Sequence, residues 1–461
     1  MRSKVLQKSL SIGLFLLFVG INVGPVQSTM MMKSMQTGIG SLFYVGGSGP
    51  GNYSKIQNAI DNASDGDIVF VYDDSSPYYE NVLLQKSIHL IGEQVETTII
   101  DGKKSCNVVS VFADGVSITG FTLCNSGVLM IDCGIELRSS HNTISGNIIS
   151  NNFQGISLYT FNEFIANYNN ITGNMITSNE GNGIYLLHSE YNHISGNILS
   201  NNTGITLDQS NNNNVSGNIF HNDGIFLNSF SNNIISDNLV NGKPLVYMVG
   251  ESNKIVDTAG QIILVDCHNI TIQHQDLSNT TTGLNLIRTD HCHIVRNTIM
   301  NNCFFGINLF QSNDNNISLN TFSHNSAGLQ VASSDRNIII WNTIRSNQPY
   351  YGIELYGSNN NTISTNTIEK NGGRKMVENG LGIFIFISSN NSIFHNNFLQ
   401  NARDAYFNEA YSNEWNGNYW NRPRILPKII LGENAKLPPF DLRINFDWHP
   451  AQQPYDIPRM V

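Results

Sequence analysis

The stretch Asn142-Thr143-Ile144-Ser145-Gly146-Asn147-Ile148-Ile149-Ser150-Asn151-Asn152 decides the fold, because the chain repeats it. With Asn147 as anchor, the equivalent positions are Asn174, Asn197, Asn218, Asn238, Gln275, Asn297, Asn320, Asn342, Asn366, Asn396 and Asn418. Most steps are about 20–24 residues, a period that marks a solenoid. An apolar residue sits three before each anchor (Ile144, Ile171, Ile194) and another two after it (Ile149, Ile176, Leu199).

Working outward, each unit has three pieces. An N-x-I-x-x-N-x-I alternation has strand period. An Asn-rich corner follows, then a G-I-x-L strand, as in Gly155-Ile156-Ser157-Leu158 and Gly352-Ile353-Glu354-Leu355. No unit holds enough apolar residues for its own core, so coils must stack to bury one continuous column. The spacing predicts an all-β fold: a right-handed, single-stranded parallel β-helix, with a short N-terminal capping helix and an irregular C-terminal cap.

Asparagine suits the corners because it tolerates left-handed backbone and its amide bonds to nearby backbone. It also bonds to the same residue one coil away, as a ladder, with coils expected about 4.8 Å apart. A second ladder runs five residues before the anchor through Asn142, Asn169, Asn192 and Asn213. A third runs five after it through Asn152, Asn179 and Asn202. Three ladders per coil imply a roughly triangular cross-section.

The boundaries follow from where the repeat starts and fails. Residues 1–28 read as a signal peptide or N-terminal anchor, with Arg2, Lys4 and Lys8 before an apolar run. Residues 29–42 read as a linker, and 43–105 as an N-terminal cap with the first irregular coils. A helix over Tyr53–Ala63, with Ser54 as N-cap, is expected to cover the open end. The regular β-helix is assigned to 106–424, interrupted by an insertion at about 241–258, and 425–461 to a C-terminal capping tail. Charged residues make up only 13% of the 461 and net charge is −10, with no basic stripe, which excludes nucleic acid as a partner. An exported, extracellular, cell-surface or periplasmic location is expected, with membrane contact only through an uncleaved N-terminal segment. The six cysteines are Cys106, Cys124, Cys133, Cys267, Cys292 and Cys303. An exported chain permits disulfides, and burial as small stack residues is an equal alternative.

These residues resemble the NosD-like right-handed β-helix proteins, part of the wider group of carbohydrate-binding and sugar-hydrolase β-helix domains. The resemblance rests on Ile56-Gln57-Asn58-Ala59-Ile60 with Gly66-Asp67, on the N-x-I-x-x-N coils, on Asn241-Gly242-Lys243-Pro244 and on the tail Gly417–Pro423. The last two are similar to those of exported archaeal members. The resemblance covers nearly everything after the linker. It implies the fold, and by its name-giving member an accessory role in periplasmic copper delivery.

The residues themselves offer three chemistries. Copper would draw on His268, His291, Cys292 and His293, with Cys267 and His274 nearby in sequence and Met30–Met35 as a loose thioether source, since soft donors suit Cu(I). The ladder alignment puts Cys292 inward and His291 and His293 outward. Polysaccharide cleavage would need a base with calcium-held carboxylates, or two carboxylates across a sugar bond. Glu136, Asp208 and Glu354 lie on coils far apart, so no catalytic constellation is assigned. Glycan binding would use the outward positions two and four after each repeat Gly. These include Glu136, Arg138, Tyr159, Tyr185, Asp208, Phe226, Phe310, Glu354, Tyr356, Phe384 and Phe386. Aromatic rings stack on sugar C–H faces while polar neighbours read hydroxyls. The leading expectation is an exported β-helix that binds polysaccharide or envelope glycans on this row. The alternatives are a lyase or hydrolase with an unplaced site, a copper-delivery accessory and a structural surface protein.

Overall fold

The computed structural model describes residues 40–160, 164–228, 232–373, 380–434 and 441–458. Residues 1–28, expected to be a signal peptide or anchor, most of the expected linker and Met30–Met35 lie outside the described residues. Residues 41–461 form one compact unit, a parallel β-helix of about 17 turns. Each turn contributes up to three short strands, and each strand pairs in parallel with its counterpart one coil on. Thr143–Ser145 pairs with Asn170–Thr172 in the first row, Ile148–Ser150 with Met175–Thr177 in the second, and Gln154–Tyr159 with Ile184–Leu187 in the third. Inward residues of all three rows, such as Ile144, Ile149, Ile156 and Leu158, are fully buried.

The asparagine ladders hold the corners. Asn174 Oδ1 accepts from both Asn147 N and Asn147 Nδ2, each at 3.1 Å. Asn174 Nδ2 donates to Ile144 O at 2.9 Å and to Asn197 Oδ1 at 3.0 Å. Every amide thus satisfies the coil beneath and engages the coil above. The left-handed residue is not the ladder asparagine itself but the one before it: Gly146, Asn151, Tyr168 and His141 all have positive φ. Even bulky residues take this position, among them Trp341 and Thr365, a strained conformation that the ladder bonds outweigh. A further ladder, of hydroxyls, follows the third row. Ser312, Ser334, Ser358 and Ser388 are fully buried, and each accepts from the backbone of the coil before, as in Ser334 N to Ser358 Oγ at 3.0 Å.

The one described helix, Ile56–Asn62, closes the N-terminal end with Ile56, Ala59 and Ile60 buried. Ser54 does not cap it. Lys55 holds the cap position without a side-chain bond, and Glu80 from the next coil accepts from Ile56 N at 2.8 Å and Gln57 N at 3.0 Å. At the other end, strands Lys428–Asn434 and Asp441–Asp447 form an antiparallel hairpin. Its buried Asp447 terminates the anchor ladder, accepting from Asn418 N, Asn418 Nδ2 and Trp420 Nε1.

The solenoid is broken in the middle. Lys243–Val249 turns back antiparallel to Leu239–Val240, then pairs in parallel with Gln261–Val265. With Ile255–Val256 it starts the rows afresh, so 241–258 opens a second section rather than looping out. The two sections have separate apolar cores, and Ile263, Val265 and Ile287, on the outer face of the second section, pack into the first. The last third-row strand of the first section, Ile225–Leu227, would leave an open edge here. Gln261 mimics a neighbouring strand: its Oε1 accepts from Ile225 N at 2.8 Å and its Nε2 donates to Ile225 O at 2.7 Å. Asn285 Nδ2 donates to Leu227 O, and Thr281 Oγ1 to Thr203 O. Side-chain amides and hydroxyls seal the seam where no strand can follow.

Two outcomes are expected. Asn320→Ala removes the acceptor for Asn297 N and Nδ2 and the donor to Ile294 O. It should cost roughly 2–4 kcal/mol, whereas Asn301→Ala, at an exposed left-handed corner, should cost about 1 kcal/mol, as read by thermal and denaturant unfolding. Asp223 ends the third ladder of the first section, holding Asn202 N and Nδ2, and burial pushes its carboxyl up to about 7. Because that value is raised, its contribution to stability is full below the unfolded-state value of 3.8 and is lost as pH rises through about 7. Asp223→Asn should therefore be more stable than the parent at pH 8, on the order of 2–4 kcal/mol, with the gap closing toward pH 4.

Candidate glycan-binding face

The outward side of the third row divides at the seam. In the first section its charged residues are tied to their neighbours. Glu136 is buried and takes Arg138 Nε and Nη2 on one oxygen and Asn107 Nδ2 on the other, all at 2.8 Å. The Arg138 guanidinium lies over the touching rings of Phe112 and Phe164, 5.7 and 5.6 Å from their centroids. Asp208 accepts from Tyr185 Oη at 3.2 Å and Asn228 Nδ2 at 3.0 Å, and burial with this carboxylate pushes the Tyr185 phenol well above its ordinary range. Tyr159 meets Tyr185 edge to face.

At the seam, Phe226 packs against Phe304 and Phe305 at 5.3 and 6.1 Å. Phe226 and Phe310 line the same cavity with Ile287, Asn308 and Gln330, and its volume is about 50 Å³. A site for a drug-sized ligand or sugar unit takes roughly 300 Å³ or more. These two rings therefore join the halves of the molecule and are not placed for a ligand.

The second section is different. Tyr351, Tyr356, Phe384, Phe386 and Tyr406 gather on three successive coils. Phe384 lies near-parallel to Tyr351 (5.1 Å, 28°), Phe386 (6.0 Å, 7°) and Tyr406 (6.0 Å, 13°), and Tyr356 tilts against Phe386. Register explains the cluster, since Glu354 pairs with Phe384 and Phe384 with Tyr406 on one outward line. Tyr356 is 44% exposed and the other four are half-buried against one another. Polar groups flank the rings. Glu354 Oε2 accepts from Gln330 Nε2 at 2.7 Å, and burial raises its carboxyl above the usual range while that bond pulls the other way. The Arg403 guanidinium covers Tyr406 at 4.0 Å.

Of the residues expected on this row, Glu354, Tyr356, Phe384 and Phe386 come together. Tyr351 and Tyr406 were missed. Tyr351 precedes its repeat Gly, and the coil of Tyr406 has Asp404 in the Gly position, so counting from glycine passed over both. A second aromatic surface was read only as a cap. On the C-terminal hairpin, Phe446 and Trp448 stack at 4.7 Å beside Trp415, Glu414 and His449, in a groove of about 490 Å³.

The family model for periplasmic copper-binding protein (NosD) matches twice, over residues 60–253 and 246–425. The chain belongs to the NosD family. The two matches meet at the strand Lys243–Val249, where the solenoid restarts, so each section of this NosD-family chain corresponds to one copy of the family pattern. No curated protein sequence matches it. Among solved structures, it is similar to the mannuronan C-5 epimerase AlgE6 A-module of Azotobacter vinelandii, at 11% identity over 77% of this chain and 94% of that one, TM-score 0.28. The catalytic domain of a GH87 α-1,3-glucanase matches at 11% identity over 81% and 66%, TM-score 0.37. The receptor-binding tailspike of bacteriophage Det7 matches at 11% identity over 79% and 74%, TM-score 0.32.

The soft donors among the described residues do not gather at one point. Cys292 is fully buried on the asparagine ladder, and burial pushes its thiol up to about 12. Cys267 occupies a hydroxyl-ladder position, its backbone N bonded to Thr289 Oγ1 at 3.2 Å, and is also buried. His268, His291 and His293 are exposed, and the rings of the first two are tilted against each other with centroids 4.7 Å apart. Among the described residues, no three His, Cys, Asp or Glu side chains converge on a common point for a metal. Thiol alkylation of the native chain should modify exposed Cys106 first and reach Cys133 and Cys292 only on unfolding, which peptide mapping checks.

Proposed function

We propose that this NosD-family protein is an exported, non-catalytic β-helix that binds a polysaccharide or envelope glycan along the third row of its second section. One observation carries the reading: Tyr351, Tyr356, Phe384, Phe386 and Tyr406 form a continuous, partly exposed aromatic strip, with Glu354, Gln330 and Arg403 at its side. Apolar sugar faces pack on such rings, and the carboxylate, amide and guanidinium take hydroxyls. A strip on three stacked coils suits an extended chain better than a single sugar. Among the described residues the row carries no hydrolytic pair: Glu136 is engaged by Arg138, Asp208 by Tyr185 and Asn228, and Glu354 by Gln330, each on its own coils. Inverting and retaining hydrolases need two carboxylates facing one bond. Export is supported by the family's periplasmic description and by the basic and apolar N-terminal run.

A glycan array probed with the full chain should return a polysaccharide ligand. Tyr356→Ala combined with Phe384→Ala should weaken that binding at least tenfold, roughly the contribution of two stacking contacts, while Tyr159→Ala leaves it unchanged. Equal loss from Tyr159→Ala, or release of reducing ends or unsaturated uronates from the bound glycan, would overturn the reading.

A further inference from the structure

An antiparallel sheet that packs one face on the core normally turns polar side chains to water on the other. The C-terminal hairpin, Lys428–Asn434 with Asp441–Asp447, does not. Its inner face holds Ile430 and Asp447, both buried. Its outer face carries the cross-strand pairs Ile429–Phe446 and Leu431–Ile444. Ile429, Leu431 and Ile444 are 41–50% exposed, so the sheet is apolar on both sides and covered on one.

Two features lie beside this face. The first is a knob. Ile425 and Leu426 are 99% and 76% exposed and stand between Pro423 and Pro427, whose rings fix the backbone. Gln452 Nε2 donates to both Arg424 O and Pro450 O, which ties the base of the knob to the chain just past His449. The second is the groove of about 490 Å³. Ile444, Phe446 and Trp448 wall it on the hairpin side, and the strand Glu414–Asn416 walls it on the other. Trp448 stays 61% exposed although it stacks on Phe446. Ile425 and Leu426 do not line the groove of their own chain. One cap thus presents an aliphatic projection and, next to it, an aromatic recess with room for such side chains.

We propose that the C-terminal caps of two copies of this chain join about a two-fold axis, each seating its Ile425–Leu426 knob in the groove of the other. Shape selects a second copy. A two-fold brings knob to groove twice, so every exposed apolar group of the pair gains a partner and the contact closes at the dimer. A different partner that filled the groove would leave the knob in water. Charge does not make the choice, because the rim carries both signs: Arg422 and Arg424 flank the knob, Glu414 borders the groove, and Lys428 is paired with Asp404 at 3.4 Å. A mixed polar rim around an apolar centre with an exposed Trp is the make-up of a protein–protein contact. The patch is smaller than the roughly 20–30 residues a side of a standard interface, so the dimer should come apart on dilution. It uses none of the rings of the glycan strip and does not rest on that reading.

Sedimentation velocity of the full chain over a wide concentration range should show a monomer–dimer equilibrium. Leu426→Glu alone and Trp448→Arg alone should each weaken the dimer at least tenfold. Both side chains are mostly exposed, so thermal unfolding of the two variants should match the parent. Mixing the variants in equal amounts should restore a dimer. That pair keeps one native knob-in-groove contact and sets the new carboxylate against the new guanidinium in the other. A parent chain that is monomeric at every concentration overturns the proposal. So does association that both variants leave intact, which is what contact through the N-terminal apolar run would give. Failure to recover on mixing, or assembly that grows past the dimer and is lost in either variant, overturns the two-fold pairing.

Discussion

The structure depends on one constraint: at every corner the backbone bends away from the strand ladder, and its N–H and C=O groups need partners inside an apolar stack. An asparagine amide meets that need twice over. Its oxygen takes the backbone and side-chain N–H of the coil below, and its nitrogen returns a bond to a carbonyl there, as Asn174 does toward Asn147 and Ile144. Since each amide also engages the next, the corner holds as a column, and the strain of left-handed residues such as Thr365 is spread over many bonds. Short strands of three residues suffice because the corners between them are fixed.

Ladders must also end. Two columns close on a carboxylate, Asp223 and Asp447, which accepts from the last asparagine, while others end on an asparagine such as Asn238 or Asn413. The seam follows the same logic. Gln261, Asn285 and Thr281 offer side-chain groups to the last strand of the first section, and the second section then starts against it. Because seam and platform use the same outward row, making the joint consumes part of the surface. Phe226 and Phe310 are spent on it, and Tyr356, Phe384 and their neighbours remain partly open to solvent.

The described soft donors are dispersed over the core and the surface. Cys267 and Cys292 sit where other coils place Ser and Asn, as small core-facing residues, and the nearby histidines are on the outside. The aromatic strip and the exposed apolar residues 128–131 are, by contrast, departures from the repeat at outward or corner positions. In a solenoid such departures fall where the scaffold does not dictate the residue.

The period, the three asparagine ladders, the inward apolar columns and the burial of Cys292 were all legible in the sequence, because a stacked fold writes the same contact into every unit. The outward row could be listed but not sorted. Glu136, Tyr185, Phe226 and Phe384 occupy equivalent sequence positions, yet one is salt-bridged, one holds a carboxylate, one joins the halves and one anchors an aromatic strip. Glycine-based counting also missed Tyr351 and Tyr406, which register between coils brings beside Phe384. The sequence by itself determined the coil, since each turn's hydrogen bonds and core are local and repeated. Only the tertiary structure decided where the solenoid restarts and which part of its outer row stays open, because those depend on contacts such as Gln261 with Ile225 that no period encodes.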